Sequence, residues 1–140
     1  MRILLAVDGS PYTQKMLDYL ATHTEWLGAM HRYTALTVQP PLPPRAAKAL
    51  GKDVVDEYHA EEAQKILAPV LAFLQAHQVS AQSDSQVGHI AETIADVADG
   101  GGYDLLIMGT RGDGALTKLV MGSVATQVLA HSKIPVLLIR

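Results

Sequence analysis

The stretch G-T-R-G-D-G-A-L-T-K-L-V-M-G-S, residues 109–123, places its glycines where a strand gives way to a helix. It follows the apolar run of residues 105–108 and precedes a helical pattern. Two residues separate Gly109 from Gly112, and nine separate Gly112 from the pair Gly122 and Ser123. Glycine lets the backbone approach a ligand closely and adopt a positive φ, and the free N–H groups at a helix start attract anions. This stretch therefore predicts a phosphate-binding loop between a buried strand and a helix.

The length and composition of the chain favour one globular domain that spans residues 1–140. A domain of this size buries about 68% of the surface that its unfolded chain exposes, so a full core forms without disulfides. The sequence contains no Cys, which excludes a disulfide framework, thiol chemistry and Cys-based metal sites. The formal net charge is −3, the pI is about 6.0, and Lys and Arg are dispersed. We therefore expect neither nucleic acid nor an anionic membrane as a partner.

The amino terminus predicts a first strand rather than a targeting segment. Its apolar run ends at Asp8, which makes it too short for the core of a secretory signal. No apolar run in the sequence approaches the roughly 20 residues that a membrane-spanning helix needs. We therefore expect a cytoplasmic protein without a membrane anchor.

Apolar strand-like runs alternate with amphipathic helical patterns along the chain. The strand-like segments are residues 3–7, 33–38, 79–87, 104–108 and 135–139. The helical patterns cover residues 10–27, 54–74, 88–99 and 123–131. This alternation predicts a single three-layer α/β/α domain with a five-stranded parallel sheet and four helices. The third strand is polar and fits a sheet edge, which gives the strand order 3-2-1-4-5.

In an open parallel sheet, ligands bind beyond the carboxyl ends of the strands, at the point where the strand order reverses. That point lies between the first and fourth strands, so Asp8 and the loop from Gly109 are expected to face each other across one crevice. Ser123 fits a helix N-cap as well as a phosphate ligand, and the two roles are compatible. Asp8 fits either a ligand contact or a cap of the first helical turn near Ser10.

Prolines mark two irregular places in the sequence. Residues 39–52 hold four of the seven prolines and predict an extended, Pro-rich surface loop. Pro69 lies within the second helical pattern, where it lacks the N–H group that a helix needs. We expect a kink or break of that helix near Ala68.

Two other nucleotide-binding motifs and a metal motif are absent from the sequence. A P-loop needs G-x4-G-K-[ST], but Ala115 follows Gly114 where Lys is required. A dinucleotide fingerprint fails because the loop after the first strand, D-G-S-P, has a single glycine. The six His residues form no H-x3-H pair, so we expect no metal site made by protein ligands.

The chain resembles the universal stress proteins, whose nucleotide-binding members share the pattern G-x2-G-x9-G-[ST]. Gly109, Gly112, Gly122 and Ser123 match it at every defined position. The resemblance runs from I-L-L-A-V-D-G-S at the start, through Y-D-L-L-I-M-G-T-R-G and M-G-S-V-A-T-Q-V-L, to I-P-V-L-L-I at the end. It implies a Rossmann-like fold of the adenine nucleotide alpha hydrolase type.

The resemblance also implies that the chain binds ATP, with Mg²⁺ on the phosphates, as a nucleotide-sensing or regulatory homodimer in the stress response. The implied ligand contacts come from strand ends, the glycine loop and the last helix: Asp8, Val38, Met108, Gly109, Gly112, Gly122, Ser123 and Val124. Dimerisation is implied through the last strand, which begins at Pro135 and ends at Ile139. Members of the family often carry His-Val at the end of strand two, where this chain has Thr37 and Val38.

Two other functions stay open. The first is a slow ATP-hydrolysing or adenylyl-transferring enzyme on the same scaffold, with Asp8, Ser10 and Arg111 near the phosphates. Efficient phosphoryl transfer needs a placed base and a cationic clamp, whereas this loop offers mainly backbone amides. The second is a stress-protein dimer that uses no nucleotide, in which the glycines are structural and the last strand supplies the interface.

Overall fold

A computed structural model describes residues 1–27, 30–111 and 121–140. The strands are β1 (Arg2–Ala6), β2 (Arg32–Gln39), β3 (Ala81–Val87), β4 (Leu105–Gly109) and β5 (Val136–Ile139). The α-helices within these ranges are α1 (Pro11–Thr22), α2 (Pro44–Leu50), α3 (Lys52–Ala76), α4 (Ile90–Gly100) and α5 (Ser123–His131), and a 3₁₀ turn covers Thr24–Leu27. None of these helices is long and apolar enough to cross a membrane.

The strands form one parallel sheet in the order β3-β2-β1-β4-β5, which confirms the predicted fold class and strand order. β1 lies at the centre, and Ile3 is opposite Tyr33 of β2 and Leu105 of β4. β3 is an edge strand whose side chains are exposed or half-buried, as its polar sequence predicts. The strand order reverses between the neighbouring strands β1 and β4, so a crevice opens at their carboxyl ends.

The central strand β1 supplies core residues to both faces of the sheet. Ile3 and Leu5 pack in a buried cluster with side chains of α1 and α3. Leu4 points to the opposite face and packs in a second buried cluster with side chains of α4 and α5. All three side chains are fully buried. A continuous apolar run is therefore needed here, because helices cover both faces of the sheet.

The first helix begins as the sequence predicts. Ser10 is the N-cap with extended backbone angles, its hydroxyl accepts a hydrogen bond from the Tyr12 N–H at 3.2 Å, and Pro11 occupies the first helical position. The helix ends at Thr22, earlier than the helical pattern that reached Leu27. Leu27 lies instead in the separate 3₁₀ turn.

The expectation of an extended loop over residues 39–52 is wrong for its second half, because α2 forms from Pro44 to Leu50. Pro44 occupies the first turn of this helix, where a missing N–H is harmless, and the A-A-K-A-L sequence after Arg45 favours a helix. The surface location is confirmed, since α2 contains no buried residue. The chain therefore has one helix more within its described residues than the sequence predicts.

A kink or break was expected near Ala68, and the helix is not broken there. α3 runs for 25 residues from Lys52 to Ala76 and includes Pro69. Pro69 is exposed, whereas Leu67 and Val70 beside it are buried in the core. Packing of these two neighbours against the sheet holds the helix together across the residue that lacks an N–H group.

Candidate functional site

A cavity of about 370 Å³ opens at the carboxyl ends of β1, β2 and β4, at the point where the strand order reverses. Residues that follow β1, the end of β2, the first turns of α4 and the start of α5 line it. Its size lies within the range of small-molecule sites, which is about 300–1,000 Å³. The sheet topology therefore places a concave site where ligands bind in folds of this kind.

Asp8 lies on the wall of this cavity, directly after β1. Its Oδ1 accepts hydrogen bonds from the Ser10 N–H at 2.9 Å and from the Thr13 hydroxyl at 3.1 Å. The Asp8 N–H in turn donates to the Thr13 hydroxyl oxygen at 3.1 Å. One carboxylate oxygen therefore braces the turn into α1, and the exposed side chain keeps Oδ2 for other contacts.

The end of β2 offers unpaired backbone groups to the cavity. The Leu36 carbonyl accepts from the Val7 N–H, and the Gln39 carbonyl accepts from the Gly88 N–H, each at 2.9 Å. Since alternate residues of a strand direct their backbone groups to the same neighbour, Val38 points its N–H and C=O toward β1, as Leu36 does. β1 has already ended at Ala6, and no backbone group of the described residues bonds to Val38 on that side.

Apolar side chains surround this strand end. Val38 and Met108 come from the ends of β2 and β4, and Ile90 and Ile94 come from the first turns of α4. All four belong to or pack against the core cluster on the α4 and α5 face of the sheet. This part of the cavity therefore combines an apolar slot with one exposed backbone edge, which suits a flat heteroaromatic group.

The start of α5 lines another part of the cavity. Gly122 is its N-cap, and the Gly122 N–H donates to the Thr110 carbonyl at 2.7 Å. The N–H groups of Ser123, Val124 and Ala125 occupy the first helical turn, where a helix offers no internal acceptor. All three residues line the cavity, and no described residue accepts from their N–H groups. These groups and the helix dipole favour an anion here.

Two glycines of the motif, Gly109 and Gly122, do not adopt a positive φ. Gly122 has a φ of −76°, which any residue adopts, and Gly109 is absent from the described residues with positive φ. Among the described residues, Gly9, which directly follows the cavity residue Asp8, has a positive φ of +75°. Gly109 is required for space, since a Cβ on it would lie 2.6 Å from Tyr12 Cβ. The side chain of Tyr12 therefore lies close against the Cα of Gly109.

Seven of the eight predicted ligand residues line this one cavity: Asp8, Val38, Met108, Gly109, Gly122, Ser123 and Val124. The eighth, Gly112, lies outside the described residues. Sequence reasoning missed the contribution of Tyr12, Gln39, Ile90 and Ile94, which also line the cavity. Ile90 and Ile94 were recognisable only as the inner side of a helix, because core packing produces the same spacing.

The three residues of the enzymatic alternative do not all reach the cavity. Asp8 and Arg111 both line the cavity, but Ser10 does not. Ser10 is 3% exposed, and its hydroxyl caps α1. Across residues 1–27, 30–111 and 121–140, no cluster of His, Asp and Glu side chains is arranged to hold a metal ion.

The sequence matches the model of the universal stress protein family over residues 1–140. A universal stress protein of Thermus aquaticus is 31% identical over 138 residues, which cover 99% of this chain and 97% of that protein. A second relative, from Mycolicibacterium smegmatis, is 28% identical over 142 residues. That match covers 98% of this chain and 47% of the relative, so the chain spans about half of the relative's length.

Solved structures share the fold over nearly the whole chain. The hypothetical protein MJ0577 is 26% identical, with a TM-score of 0.79 and coverage of 99% of this chain and 94% of that one. The universal stress protein of Archaeoglobus fulgidus, solved in complex with dAMP, is 21% identical, with a TM-score of 0.72 and coverage of 100% and 98%. An Arabidopsis thaliana family protein with AMP bound has the same TM-score of 0.72 at 13% identity, with coverage of 99% and 90%.

Proposed function

Because the chain belongs to the universal stress protein family, we propose that it binds ATP in the cavity at the carboxyl ends of β1, β2 and β4. The nucleotide would carry Mg²⁺ on its phosphates, and the protein would act as a nucleotide-sensing or regulatory dimer in the stress response. One observation carries this proposal. A single cavity contains both the backbone edge at Val38 and the N–H groups at the start of α5, and no backbone group of the described residues pairs with either.

The Val38 edge suits adenine. The base presents an amino donor beside ring-nitrogen acceptors, and one residue with a free C=O and a free N–H is complementary to that pair. Ile90, Ile94 and Met108 provide apolar surface for the ring faces. The dAMP and AMP complexes of fold relatives are consistent with an adenine nucleotide as the ligand.

The start of α5 suits the phosphates. Ser123, Val124 and Ala125 present backbone N–H groups to the cavity, and the helix dipole adds a partial positive charge. Gly122 carries no side chain that would narrow the approach to these groups. Arg111, which also lines the cavity, adds a positive charge for a polyphosphate.

Binding is the proposed role rather than fast turnover. Efficient phosphoryl transfer requires a base that orients the nucleophile and cations that stabilise the transition state. Asp8 already holds the Ser10 N–H and the Thr13 hydroxyl with Oδ1, so only Oδ2 is available to a hydrated Mg²⁺ or a ribose. Slow ATP hydrolysis is the most that this set of groups supports.

The dimer is proposed to form through β5. This strand lies at the edge of the sheet beside β4, and Val136, Leu137 and Leu138 are only half-buried. An edge strand with unpaired backbone groups and apolar side chains pairs readily with a second chain. We propose a cytoplasmic location for this dimer.

Thermal unfolding with and without Mg-ATP tests the proposal, beside a Gly122→Val variant. Saturation to a hundred times Kd adds about 2.7 kcal/mol, which shifts the midpoint by several degrees at roughly 2–4 °C per kcal/mol. The Val side chain should obstruct the phosphates, so the variant should lose most of the ATP shift while keeping weak binding of adenosine. Gly100→Ala is the matched control, because an added Cβ at Gly100 meets nothing within 4 Å.

The outcomes separate the alternatives. A shift with wild type and Gly100→Ala but not with folded Gly122→Val supports the site. Repeated turnover of Mg-ATP, with steady release of phosphate or transfer of adenylate, would favour the ATP-hydrolysing or adenylyl-transferring enzyme. No shift at millimolar ATP, together with a dimer by light scattering, would leave the nucleotide-independent dimer as the better explanation.

A further inference from the structure

A side-chain clamp joins the rim of the cavity to α3. Gln39 is the last residue of β2 and lines the cavity, and His59 lies in α3, 20 residues later. The Gln39 amide nitrogen Nε2 donates to the His59 carbonyl at 2.7 Å. The His59 Nδ1 lies 3.0 Å from the Gln39 Oε1. Since Nε2 must face the carbonyl, Oε1 faces Nδ1, and Nδ1 is the N–H donor.

The clamp acts where β2 is paired with a neighbouring strand on one side, through the register of Val38 with Gln86 and Gln39 with Val87 of β3. On the β3 side, the Gln39 carbonyl accepts from the Gly88 N–H. On the β1 side, the strand end faces the cavity, as the open backbone of Val38 shows. Pro40 follows immediately and has no N–H to extend the strand pairing. Both polar ends of the Gln39 side chain are directed at His59, so this residue contributes a second anchor to the end of β2.

The ring of His59 is itself held in place. It packs edge-on against the Tyr58 ring, with 5.3 Å between the ring centroids. His59 and Gln39 are both half-buried, so their two hydrogen bonds are partly shielded from water. The clamp also closes the Pro-rich segment and α2 into a loop whose two ends meet at the cavity rim.

We infer that His59 is a positioning residue for the base end of the cavity, acting through Gln39. This inference rests on the proposed function, since it concerns how the same cavity binds adenine. Losing the clamp leaves the pairing with β3 in place but loosens the end of β2, so Val38 presents its N–H and C=O in a less fixed orientation. The phosphate end is built from β4 and α5 and keeps its geometry. The clamp therefore affects recognition of the base and leaves binding of the phosphates unchanged.

Titration calorimetry with Mg-ATP, Mg-GTP and inorganic tripolyphosphate tests the inference. His59→Leu removes the donor and should raise the Kd for ATP about fivefold, as expected for a hydrogen bond of ordinary strength. It should leave the Kd for tripolyphosphate within about twofold and reduce the preference for ATP over GTP. His59→Asn keeps an amide N–H near the position of Nδ1 and should restore most of the ATP affinity.

Three further variants separate the effect of the clamp on binding from an effect on stability. His77→Leu removes a histidine from the end of the same helix, where its Nδ1 lies 2.9 Å from the Phe73 carbonyl, remote from the cavity. It should change neither ATP affinity nor base preference. Gln39→Leu should resemble His59→Leu, and the double variant should lose no more than either single one, because all three remove the same link.

The results separate this inference from the proposed function. If wild type binds ATP and His59→Leu binds it equally well, or loses ATP and tripolyphosphate affinity in parallel, the positioning role is overturned while the ATP site stands. If wild type binds tripolyphosphate but binds ATP no more tightly than GTP, the base end of the cavity is misassigned and the inference fails with it. If wild type binds neither ligand, both proposals fail.

Discussion

The end of β4 and the first turn of α1 meet at Gly109 and Tyr12, where a Cβ on Gly109 would lie 2.6 Å from the Cβ of Tyr12. Real Cβ atoms do not approach so closely, so the contact permits only glycine at this position. Both residues also line the cavity. A glycine of the predicted phosphate loop therefore has a packing role that is independent of any ligand.

Replacing Gly109 with Ala should destabilise the protein by about 1–3 kcal/mol, because the new methyl group must displace the start of α1. Urea unfolding measures this change. Gly100→Ala serves as the control, because its site is open; it should be neutral or stabilising by about 0.5–1 kcal/mol. Equal stabilities of the two variants would show that Tyr12 moves aside freely and that the packing role is wrong.

Ile90→Ala should weaken ATP binding by about 1–1.5 kcal/mol, a factor of five to ten in Kd, because it removes apolar surface from the base slot. Tripolyphosphate affinity should not change. Val97→Ala is the matched control: Val97 lies on the same helix and packs against the same core cluster but does not line the cavity. Calorimetric titration gives both constants. Equal losses of ATP affinity in the two variants would mean that Ile90 acts only through stability.

Asp99 should make the stability of the protein depend on pH in the acid range. The Lys133 N–H and the Ser132 hydroxyl donate to its carboxylate and lower its pKa below the ordinary value. The folded state therefore binds this proton less readily than the unfolded state. Its stabilising contribution is complete above the unfolded pKa, and it is lost as the pH falls through the folded pKa.

The test compares Asp99→Asn with wild type by urea unfolding between pH 7 and pH 2. The variant should be less stable at pH 7. The difference should begin to shrink near the unfolded pKa of about 3.9, where the unfolded wild-type chain takes up the proton, and should keep shrinking as the pH falls through the lower folded pKa. Asp96→Asn, on the exposed side of the same helix, should show a much smaller difference throughout. A pH-independent difference for Asp99→Asn would contradict the assignment.

Pro69→Ala should stabilise the protein by about 1–3 kcal/mol, because an Ala N–H can donate to the Lys65 carbonyl and the ring no longer crowds the preceding turn. Pro44→Ala is the control, since Pro44 occupies the first turn of α2, where no internal acceptor is waiting. It should change stability little. Thermal unfolding measures the stability of the two variants. A Pro69→Ala variant less stable than wild type would show that the proline ring stabilises α3.

The strand order was predictable because the burial of a strand determines which of its positions are apolar. The run from Ile3 to Leu5 is apolar at every position because both faces of β1 are covered, and the polar β3 could occupy only an edge. Once the order was known, the positions of Asp8 and Gly109 at the crevice followed from the parallel direction of the strands.

Other features depended on tertiary contacts that a local pattern does not contain. The persistence of α3 through Pro69 reflects the burial of Leu67 and Val70. Ile90 repeats at the spacing of any core residue, so its place in the cavity could be seen only after α4 was positioned. The link between Gln39 and His59 joins residues 20 positions apart and depends on where α3 crosses β2.

The central position of β1 has a consequence for the order of folding. β1 is synthesised before the other four strands, yet one of its two neighbours, β4, begins with Leu105 opposite Ile3. Contacts of such large sequence separation slow folding, because a long loop must close before they form. On the ribosome, one edge of β1 would stay unpaired until β4 has emerged, which exposes an apolar strand during synthesis.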